Sequence, residues 1–277
     1  SRASLRALID KGLINETVSK APPPAALERG AIEEPDFTLN DDQRDALDRV
    51  DAALHEGAFR ALLLYGVSGS GKTEIYIHAM RRVLAAGRQA IMLVPEIALT
   101  TQLVQRLAAR FDRVAVIHSG LTEVERSVAW DSIRRGQVDV VIGTRSAVFV
   151  PCPALGLIVV DEEQEPSYKN LQSPRFHVRD VAVKRAHLLG IPIVLGSATP
   201  SLETWHNIDA LDSYSRIDLP RRVRNLPMPA VRIVDMRDAG HVPGSTGISR
   251  SLARELSDTL AAGQQAVLLL NRRGFAT

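Results

Sequence analysis

The sequence is poor in cysteine, with a single one, Cys152, among 277 residues. One thiol cannot form an internal disulfide or supply a cysteine-rich zinc site, and such sparing use is typical of a reducing cytoplasm. The apolar runs are much shorter than the ~20 residues that a membrane-spanning helix needs. The first residues also lack the basic-then-apolar pattern of a secretory signal. We therefore expect a cytoplasmic protein that has no membrane partner.

A strong excess of one charge is missing as well. Lys and Arg number 34 and Asp and Glu number 32, which gives a formal net charge of +2. That balance permits a nucleic-acid partner but does not argue for one. A chain of 277 residues with 45% hydrophobic and 24% charged residues is long enough for one large or two modest globular domains with a sizeable core.

A glycine-rich segment, ALLLYGVSGSGKTE at 61–74, carries the strongest functional signal. It predicts a buried strand, a tight turn and the start of a helix, with Lys72 and Thr73 in the phosphate-loop pattern G-x-x-x-x-G-K-[ST]. Backbone N–H groups of such a loop bind phosphate at a helix N-terminus, the lysine reaches the β- and γ-phosphates and the threonine binds Mg²⁺. The predicted nucleotide-binding residues are Gly66, Val67, Ser68, Gly69, Ser70, Gly71, Lys72 and Thr73.

A helix upstream of this loop is predicted to begin after Asn40, whose side chain can cap it, with Ala46, Leu47 and Val50 on its buried face. Gln43 lies just inside that helix and can bind an adenine edge through its amide. An exposed helix glutamine explains the same spacing equally well. We include Gln43 among the nucleotide-binding candidates.

Short apolar runs alternate with helical patterns after the phosphate loop. The predicted strands are Ala90–Val94, Val114–His118, Val138–Ile142, Leu157–Val160 and Ile191–Leu195, and the helical patterns include Thr101–Phe111 and Thr122–Gly136. Strands that are apolar throughout indicate an α/β fold with a parallel sheet covered on both faces. Ligands of such sheets bind at the carboxyl ends of the strands, where polar clusters fall at 95–96, 118–120, 143–146, 161–164 and 196–200.

Changes in composition suggest domain limits, and the sequence is expected to be a piece of a longer protein. Residues 1–30 are interpreted as the tail of a preceding, winged-helix-like module and a proline-rich linker, and 31–219 as a nucleotide-binding lobe. The basic, proline-broken segment 220–229 is a predicted connector. Residues 230–277 are predicted to begin a second lobe with a strand in VRIVDM, a helix capped by Ser249 and a strand at Gln265–Leu270.

Two acids follow the apolar run at 157–160. Asp161 is predicted to hold Mg²⁺ together with Thr73, and Glu162 to orient and deprotonate the attacking water. Glu163 and Gln164 can also be solvated turn residues. We expect Glu163→Gln to be mild for hydrolysis, because a carboxylate is required as base only at the position that faces the γ-phosphate. The segment GSATP at 196–200 can relay the state of the γ-phosphate or simply begin a capped helix, and without other motifs the capped helix is favoured.

The order of these blocks resembles superfamily 2 helicases, and closely resembles the PriA (primosomal protein N′) family of replication-restart helicases. The matching blocks are GVSGSGKTE (66–74), VPEIALT (94–100), HSGL (118–121), VIGTRSAVF (141–149), IVVDEE (158–163), SYK (167–169), HVRD (177–180), GSATPSLET (196–204) and LNRRGF (270–275). The resemblance implies a RecA-like P-loop domain and the start of a second RecA-like lobe. It further implies an ATP- and Mg²⁺-dependent 3′-to-5′ DNA helicase with Lys72, Asp161 and Glu162 as catalytic residues.

The resemblance also implies how the chain contacts its partners. DNA, forked and single-stranded, would be the main partner, with primosome and single-strand-binding proteins implied by the family. Zinc is expected only in a cysteine-rich region of the family that this sequence does not contain. An aromatic-rich loop after the acidic motif couples DNA binding to hydrolysis in this family. The implied DNA-binding residues are Thr144, Arg145, Ser146, Tyr168, Phe176, His177 and Arg179.

Two positions depart from the family pattern. Gln164 stands where a histidine is usual, and Ser173-Pro174 where a bulky aromatic is common. Two other interpretations stay open: another superfamily 2 motor, such as a restriction-type translocase or an RNA helicase, and a DNA-binding primosome scaffold without motor activity. HSGL, GTRSAVF and LNRRGF favour the restart family. Four intact residues of the nucleotide site argue against the scaffold, namely Lys72, Thr73, Asp161 and Glu162.

Overall fold

The computed structural model describes residues 38–99, 101–223, 230–237, 240 and 248–269. The chain divides into two compact units, Ser1–Pro227 and Met228–Thr277. In chain order the elements of the first unit are α1 Asp41–Glu56, β1 Ala61–Gly66, α2 Lys72–Ala85, β2 Gln89–Leu93, α3 Thr101–Ala108, β3 Val114–Ile117, α4 Glu123–Arg134, β4 Val140–Gly143, β5 Leu155–Val160, β6 Lys169–Asn170, β7 Phe176–His177, α5 Val178–Leu189, β8 Ile193–Ser197, α6 Leu202–Ala210 and β9 Tyr214–Leu219. The second unit contributes α7 Arg250–Ala261.

The first unit is built on a seven-stranded sheet in the order β3-β4-β2-β5-β8-β1-β9. Every neighbouring pair of these strands is parallel. Hydrophobic clusters cover both faces, one with residues of α1, α2 and α3, the other with residues of α4 and α5. Successive side chains of a strand lie in opposite clusters. In β1, Leu62 and Leu64 belong to one cluster, and Ala61 and Leu63 belong to the other. The predicted α/β fold class is confirmed.

An edge strand, β9, escaped the sequence analysis. It pairs with β1, and only Ile217 and Leu219 of its six residues are buried. An edge strand that faces water on one side has alternating polar and apolar residues, so β9 lacks the continuous apolar run by which the other strands are predicted. The helix predicted after Asn40 is confirmed as α1, with Asn40 as its N-cap.

The second unit differs from the expectation in part. Ser249 does cap a helix, since its side chain accepts a hydrogen bond from the Leu252 N–H at the start of α7. The strands expected in VRIVDM and at 265–269 are wrong, because these residues form no strand. Their apolar side chains are exposed, Ile233 at 94% and Val267 at 95%. A strand needs a neighbour for its backbone groups, and the described residues of this unit supply none.

Some expectations concern residues outside the described ranges. These are the module tail and linker at 1–30, most of the connector at 220–229, and LNRRGF at 270–275. The domain limits therefore stay predictions. Within the described residues, no helix is both long and apolar enough to cross a membrane.

Candidate nucleotide site and nucleic-acid interface

The phosphate loop connects β1, which ends at Gly66, to α2, which begins at Lys72. Gly71 has a φ of 87°, a left-handed conformation that favours glycine. A Cβ atom on Gly71 would also lie 2.2 Å from Nε2, the side-chain amide nitrogen of Gln43. Conformation and close approach thus both require a glycine immediately before the lysine.

Lys72 lies inside the curve of this loop. It is only 8% exposed, and its Nζ donates to the Gly66 carbonyl over 2.9 Å. Ser70 Oγ is also buried in the loop and has no hydrogen-bond partner within the described residues. A buried ammonium and an unsatisfied hydroxyl on a loop that opens into a helix N-terminus are the groups expected to bind phosphate.

Gln43 fastens α1 to the phosphate loop. Its side chain completes a capping box with Asn40, and its Nε2 donates to the Ser70 carbonyl over 3.0 Å. Gln43 is 5% exposed, so the interpretation as an exposed helix glutamine is wrong. A contact to adenine stays a prediction.

Asp161 directly follows β5 and faces α2. Its Oδ1 accepts a hydrogen bond from the Tyr76 hydroxyl over 3.0 Å. Burial, and then the neighbouring Glu162, raise the pKa of the Asp161 carboxyl to about 6, although Tyr76 and Lys72 act in the opposite direction. A carboxylate that burial has destabilised gains the most from a cation. This is the environment expected of a metal ligand.

Glu162 begins the turn after β5 in an unusual conformation. Its φ is 47°, the only positive value among the described residues other than glycine. Such a conformation costs of order 1–3 kcal/mol and is characteristic of functional sites. The Glu162 carboxylate accepts a hydrogen bond from Gln164 Nε2 over 3.0 Å. The fold therefore directs the Glu162 side chain differently from those of its acidic neighbours.

These residues fit a magnesium site. The Thr73 hydroxyl and the Asp161 carboxylate are hard oxygen donors, the type that Mg²⁺ prefers. No group of three or more His, Cys, Asp and Glu side chains able to hold a metal occurs in the described part of the chain. Mg²⁺ in phosphate-transfer sites uses one or two protein ligands and completes its shell with phosphate and water. Two candidate ligands are therefore enough.

Glu163 is completely buried, not a solvated turn residue. Its carboxylate accepts hydrogen bonds from Ser201 N (2.7 Å), Ser201 Oγ (3.0 Å), Thr204 Oγ1 (2.9 Å) and Arg179 (3.1 Å). It thus joins the acidic turn to α5 and α6. Glu163→Gln is therefore expected to cost stability, because the glutamine nitrogen cannot accept these hydrogen bonds, and its effect on hydrolysis stays a prediction.

The GSATP turn does begin a capped helix, as favoured, with Ser201 as the N-cap of α6. It also contacts the acidic turn, as the alternative interpretation as a γ-phosphate relay requires, and that relay stays a prediction. Ser197 Oγ donates to Gln164 Oε1 over 2.6 Å and accepts from the Thr199 N–H over 2.9 Å. A hydrogen-bonded chain therefore runs from Glu162 through Gln164 to Ser197.

A second polar region lies at the ends of β3 and β4. Thr144 is buried at 3% exposure and lines a cleft of about 380 Å³ together with Glu96, Leu99 and His118. Arg145 donates to Glu96 over 3.1 Å, and both side chains of this pair are more than a third exposed. Ser146 follows on the same short helical turn and is partly exposed. The structure thus brings these three DNA-binding candidates together.

The predicted aromatic-rich loop separates into buried and exposed parts. Tyr168 is 1% exposed, and its hydroxyl donates to the Asp161 carbonyl over 2.7 Å. Arg179 is 7% exposed and is held by Glu163, Asp180 and Ser201. Both side chains are therefore largely buried, as that of Thr144 is, and a direct contact of Tyr168 or Arg179 with DNA stays a prediction. The sequence could not show this burial, because it depends on how these segments pack, and two partners of Arg179, Glu163 and Ser201, lie 16 and 22 residues away.

The rest of this loop is a hairpin of β6 and β7, in which residues 171–175 are exposed and Phe176 is partly buried against the core. Phe176 on β7 packs edge-to-face against Phe149, with ring centroids 5.2 Å apart. Phe149 is 48% exposed and was missed by the sequence analysis, although it ends the block VIGTRSAVF. His177 is partly buried, and burial and the nearby Arg179 lower the pKa of its imidazole. Phe149, Phe176 and His177 are the accessible rings of this region.

Comparisons with known proteins agree with this arrangement. The chain is 42% identical over 278 residues to replication restart protein PriA of Bacillus subtilis (strain 168), covering 100% of this chain and 34% of the relative. It is 45% identical over 224 residues to replication restart protein PriA of Synechocystis, covering 79% of this chain and 27% of the relative. The chain thus spans about a third of the length of the curated relatives it matches. The resemblance to PriA helicases expected from the motifs is confirmed.

A solved structure and a family model extend the comparison. The structure of RecG bound to a three-way DNA junction matches with a TM-score of 0.50 and 24% identity, covering 66% of this chain and 24% of that one, which supports the fold. The model of the DEAD/DEAH box helicase family matches residues 40–208, more than half of the chain. This match spans the phosphate loop, the acidic turn and the GSATP turn described above. The chain therefore belongs to the DEAD/DEAH box helicase family.

Proposed function

We propose that this chain is the ATP-binding lobe of a DNA-dependent ATPase that acts in replication restart and translocates 3′-to-5′ along single-stranded DNA at forks. The observation that supports this proposal most directly is the hydrogen-bonded chain Glu162–Gln164–Ser197, which joins the proposed catalytic acid to the GSATP turn. Nucleotide-dependent changes at Glu162 can reach a second element through it. Gln164 makes this connection itself, so the departure from the usual histidine does not interrupt it.

The residues of the site have separate roles in hydrolysis. The N–H groups of the phosphate loop and Lys72 neutralise phosphate charge, and Glu162 accepts the proton of the attacking water. Thr73 and Asp161 would hold Mg²⁺, which supplies further positive charge at the β- and γ-phosphates. Phosphoryl transfer depends mainly on such positioning and charge stabilisation. These side chains are therefore enough for the ATP-binding half of the site.

DNA would bind over the ends of β3 and β4 and over the hairpin. Arg145 and Ser146 would contact phosphates, while Phe149 and Phe176 would stack on bases. Stacking on such rings does not depend on base identity, which suits a protein that moves along DNA. Primosome and single-strand-binding proteins are the proposed protein partners. In this proposal residues 31–219 form the first lobe and 230–277 begin a second one.

ATP turnover of the full-length protein, titrated with forked DNA, single-stranded DNA and RNA, tests the proposal. We expect stimulation by both DNAs and little by RNA. Phe149→Ala and Phe176→Ala should each raise the DNA concentration for half-maximal stimulation about 5- to 150-fold, because one stacked ring contributes ~1–3 kcal/mol. Leu188→Ala is the matched control, since Leu188 is a 71% exposed apolar residue on α5, outside the ring pair.

Three results would contradict this assignment. Equal stimulation by RNA would favour an RNA helicase. DNA binding without any ATP turnover would favour a scaffold. Full DNA stimulation in both phenylalanine variants would remove the hairpin from the DNA path.

A further inference from the structure

The Asp161 carboxylate is held by a side chain from the helix that carries the phosphate-binding residues. Tyr76 lies one turn after Thr73 on α2, is completely buried, and donates its hydroxyl to Asp161 Oδ1 over 3.0 Å. A buried tyrosine hydroxyl needs a hydrogen-bond partner, because leaving it unpaired costs free energy. Asp161 is that partner. The helix α2 therefore holds the Asp161 carboxylate in place in addition to carrying the phosphate-binding residues Lys72 and Thr73.

Gly196 leaves the space through which this hydroxyl reaches Asp161. A Cβ atom on Gly196 would lie 1.6 Å from the Tyr76 hydroxyl oxygen and 2.8 Å from Cζ. Gly196 does not have a positive φ, so its backbone conformation does not require a glycine. The requirement is therefore one of space. This clash explains why a glycine is needed at the first position of GSATP, a segment from which the sequence predicted only a phosphate relay or a capped helix.

We propose that Tyr76 is a positioning residue that orients the Asp161 carboxylate for the magnesium of the bound nucleotide, and that Gly196 is required for this contact. The proposal rests on the proposed function, in which Asp161 is a magnesium ligand. Hydrogen bonds from groups behind a ligand fix its orientation, and their loss typically lowers metal affinity about 10- to 100-fold. Tyr76 does not touch substrate, so it acts only through Asp161.

A second tyrosine provides a matched control. Tyr168 is equally buried, but its hydroxyl donates to the main-chain carbonyl of Asp161 over 2.7 Å and not to the carboxylate. Tyr76→Phe and Tyr168→Phe each remove one hydroxyl and one hydrogen bond to the same residue. Only the first change releases the proposed metal ligand. General loosening of Asp161 would affect both variants alike.

The experiment measures the affinity of the full-length protein for a fluorescent ADP analogue over a series of Mg²⁺ concentrations. Tyr76→Phe should need about 10-fold more Mg²⁺ for half of the Mg²⁺-dependent gain in affinity, with unchanged affinity in EDTA. Tyr168→Phe should keep the wild-type Mg²⁺ dependence. Thermal melting of both variants without nucleotide reports any structural loss, which should be similar in the two.

The variant Asp161→Asn distinguishes the assignment of Asp161 as a magnesium ligand from the proposed role of Tyr76. If it leaves the Mg²⁺ dependence unchanged, Asp161 is not the ligand, and the site assignment and the Tyr76 proposal both fail. If it abolishes the dependence while Tyr76→Phe does not shift it, only the Tyr76 proposal fails. An equal shift in Tyr76→Phe and Tyr168→Phe would also overturn it. The double variant Tyr76→Phe/Asp161→Asn should behave as Asp161→Asn alone.

Discussion

Glu163→Gln should destabilise the nucleotide-binding lobe strongly, although it changes only one oxygen into nitrogen. Glu163 is completely buried and accepts hydrogen bonds from Arg179, Ser201 and Thr204. The new amide group can accept through one oxygen only and places a donor where the other oxygen accepted. At least one buried donor then loses its acceptor, and the Arg179 charge loses its buried counter-ion.

The size of the stability loss in Glu163→Gln follows from the burial of the ion pair between Arg179 and Glu163. The Arg179 side chain is 9% exposed and that of Glu163 is 0% exposed. Removing one partner of a buried ion pair costs about 3–5 kcal/mol. Arg179 keeps contacts with the exposed carboxylates of Asp180 and Glu203, so we take the lower end, about 3 kcal/mol. For a domain of this size that corresponds to a fall in melting temperature of about 6–12 °C.

The assay compares thermal and urea unfolding of Glu163→Gln and Glu162→Gln in the full-length protein without nucleotide. Glu162 is the matched control because it is the adjacent acid, it is only partly buried, and its carboxylate accepts from a neutral side-chain amide, that of Gln164. We expect Glu162→Gln to change the unfolding free energy by less than about 1 kcal/mol. Equal stability losses in the two variants, or none in Glu163→Gln, would refute the reasoning.

Three other outcomes are expected. Lys72→Ala should lower ATP hydrolysis at least about 100-fold and leave nucleotide-free DNA binding largely intact, because Lys72 lies inside the phosphate loop; a parallel loss of fork affinity would contradict separate sites. Glu162→Gln should slow single-turnover hydrolysis at least about 100-fold and trap bound ATP, since it removes the proposed base; rapid hydrolysis by this variant would place the base elsewhere. Burial raises the pKa of the Cys152 thiol to about 11. Its alkylation by iodoacetamide at about pH 8 should therefore be roughly 100-fold slower than that of a free thiol, and the rate should rise about tenfold per pH unit. Fast labelling would show the thiol to be exposed.

The fold and the phosphate loop could be predicted because local signals determine them. Apolar runs such as Leu157–Val160 are buried on both faces of a parallel sheet, so their sequence identifies them without knowledge of their neighbours. Gly71 and Lys72 are required by the conformation and chemistry of a single turn. The edge strand β9 and the exposed chain at 265–269 were misjudged because pairing between strands decides these segments, and their own composition does not.

Two of the DNA-binding candidates, Tyr168 and Arg179, are held by partners that the sequence did not indicate. Arg179 and Tyr168 were interpreted as DNA contacts because cations and rings crowd one loop. The structure pairs Arg179 with Glu163, sixteen residues away, and with Ser201, and Tyr168 with Asp161. Burial of a charge depends on whether a counter-ion is available, and a single stretch of sequence does not reveal that.

The buried network changes how the loop can couple DNA binding to hydrolysis. Arg179 lies at the start of α5, directly after the hairpin strand that carries Phe176, and it binds Glu163 beside the acidic turn. If DNA displaces Phe176 as proposed, the displacement would reach Glu163, and Ser201 at the start of α6, through Arg179, and Arg179 need not contact DNA. Replacing Phe176 and Arg179 together would mix this coupling with loss of a buried ion pair. Phe176→Ala alone leaves the ion pair intact, because the Phe176 ring contacts the exposed Phe149 and takes no part in the pair.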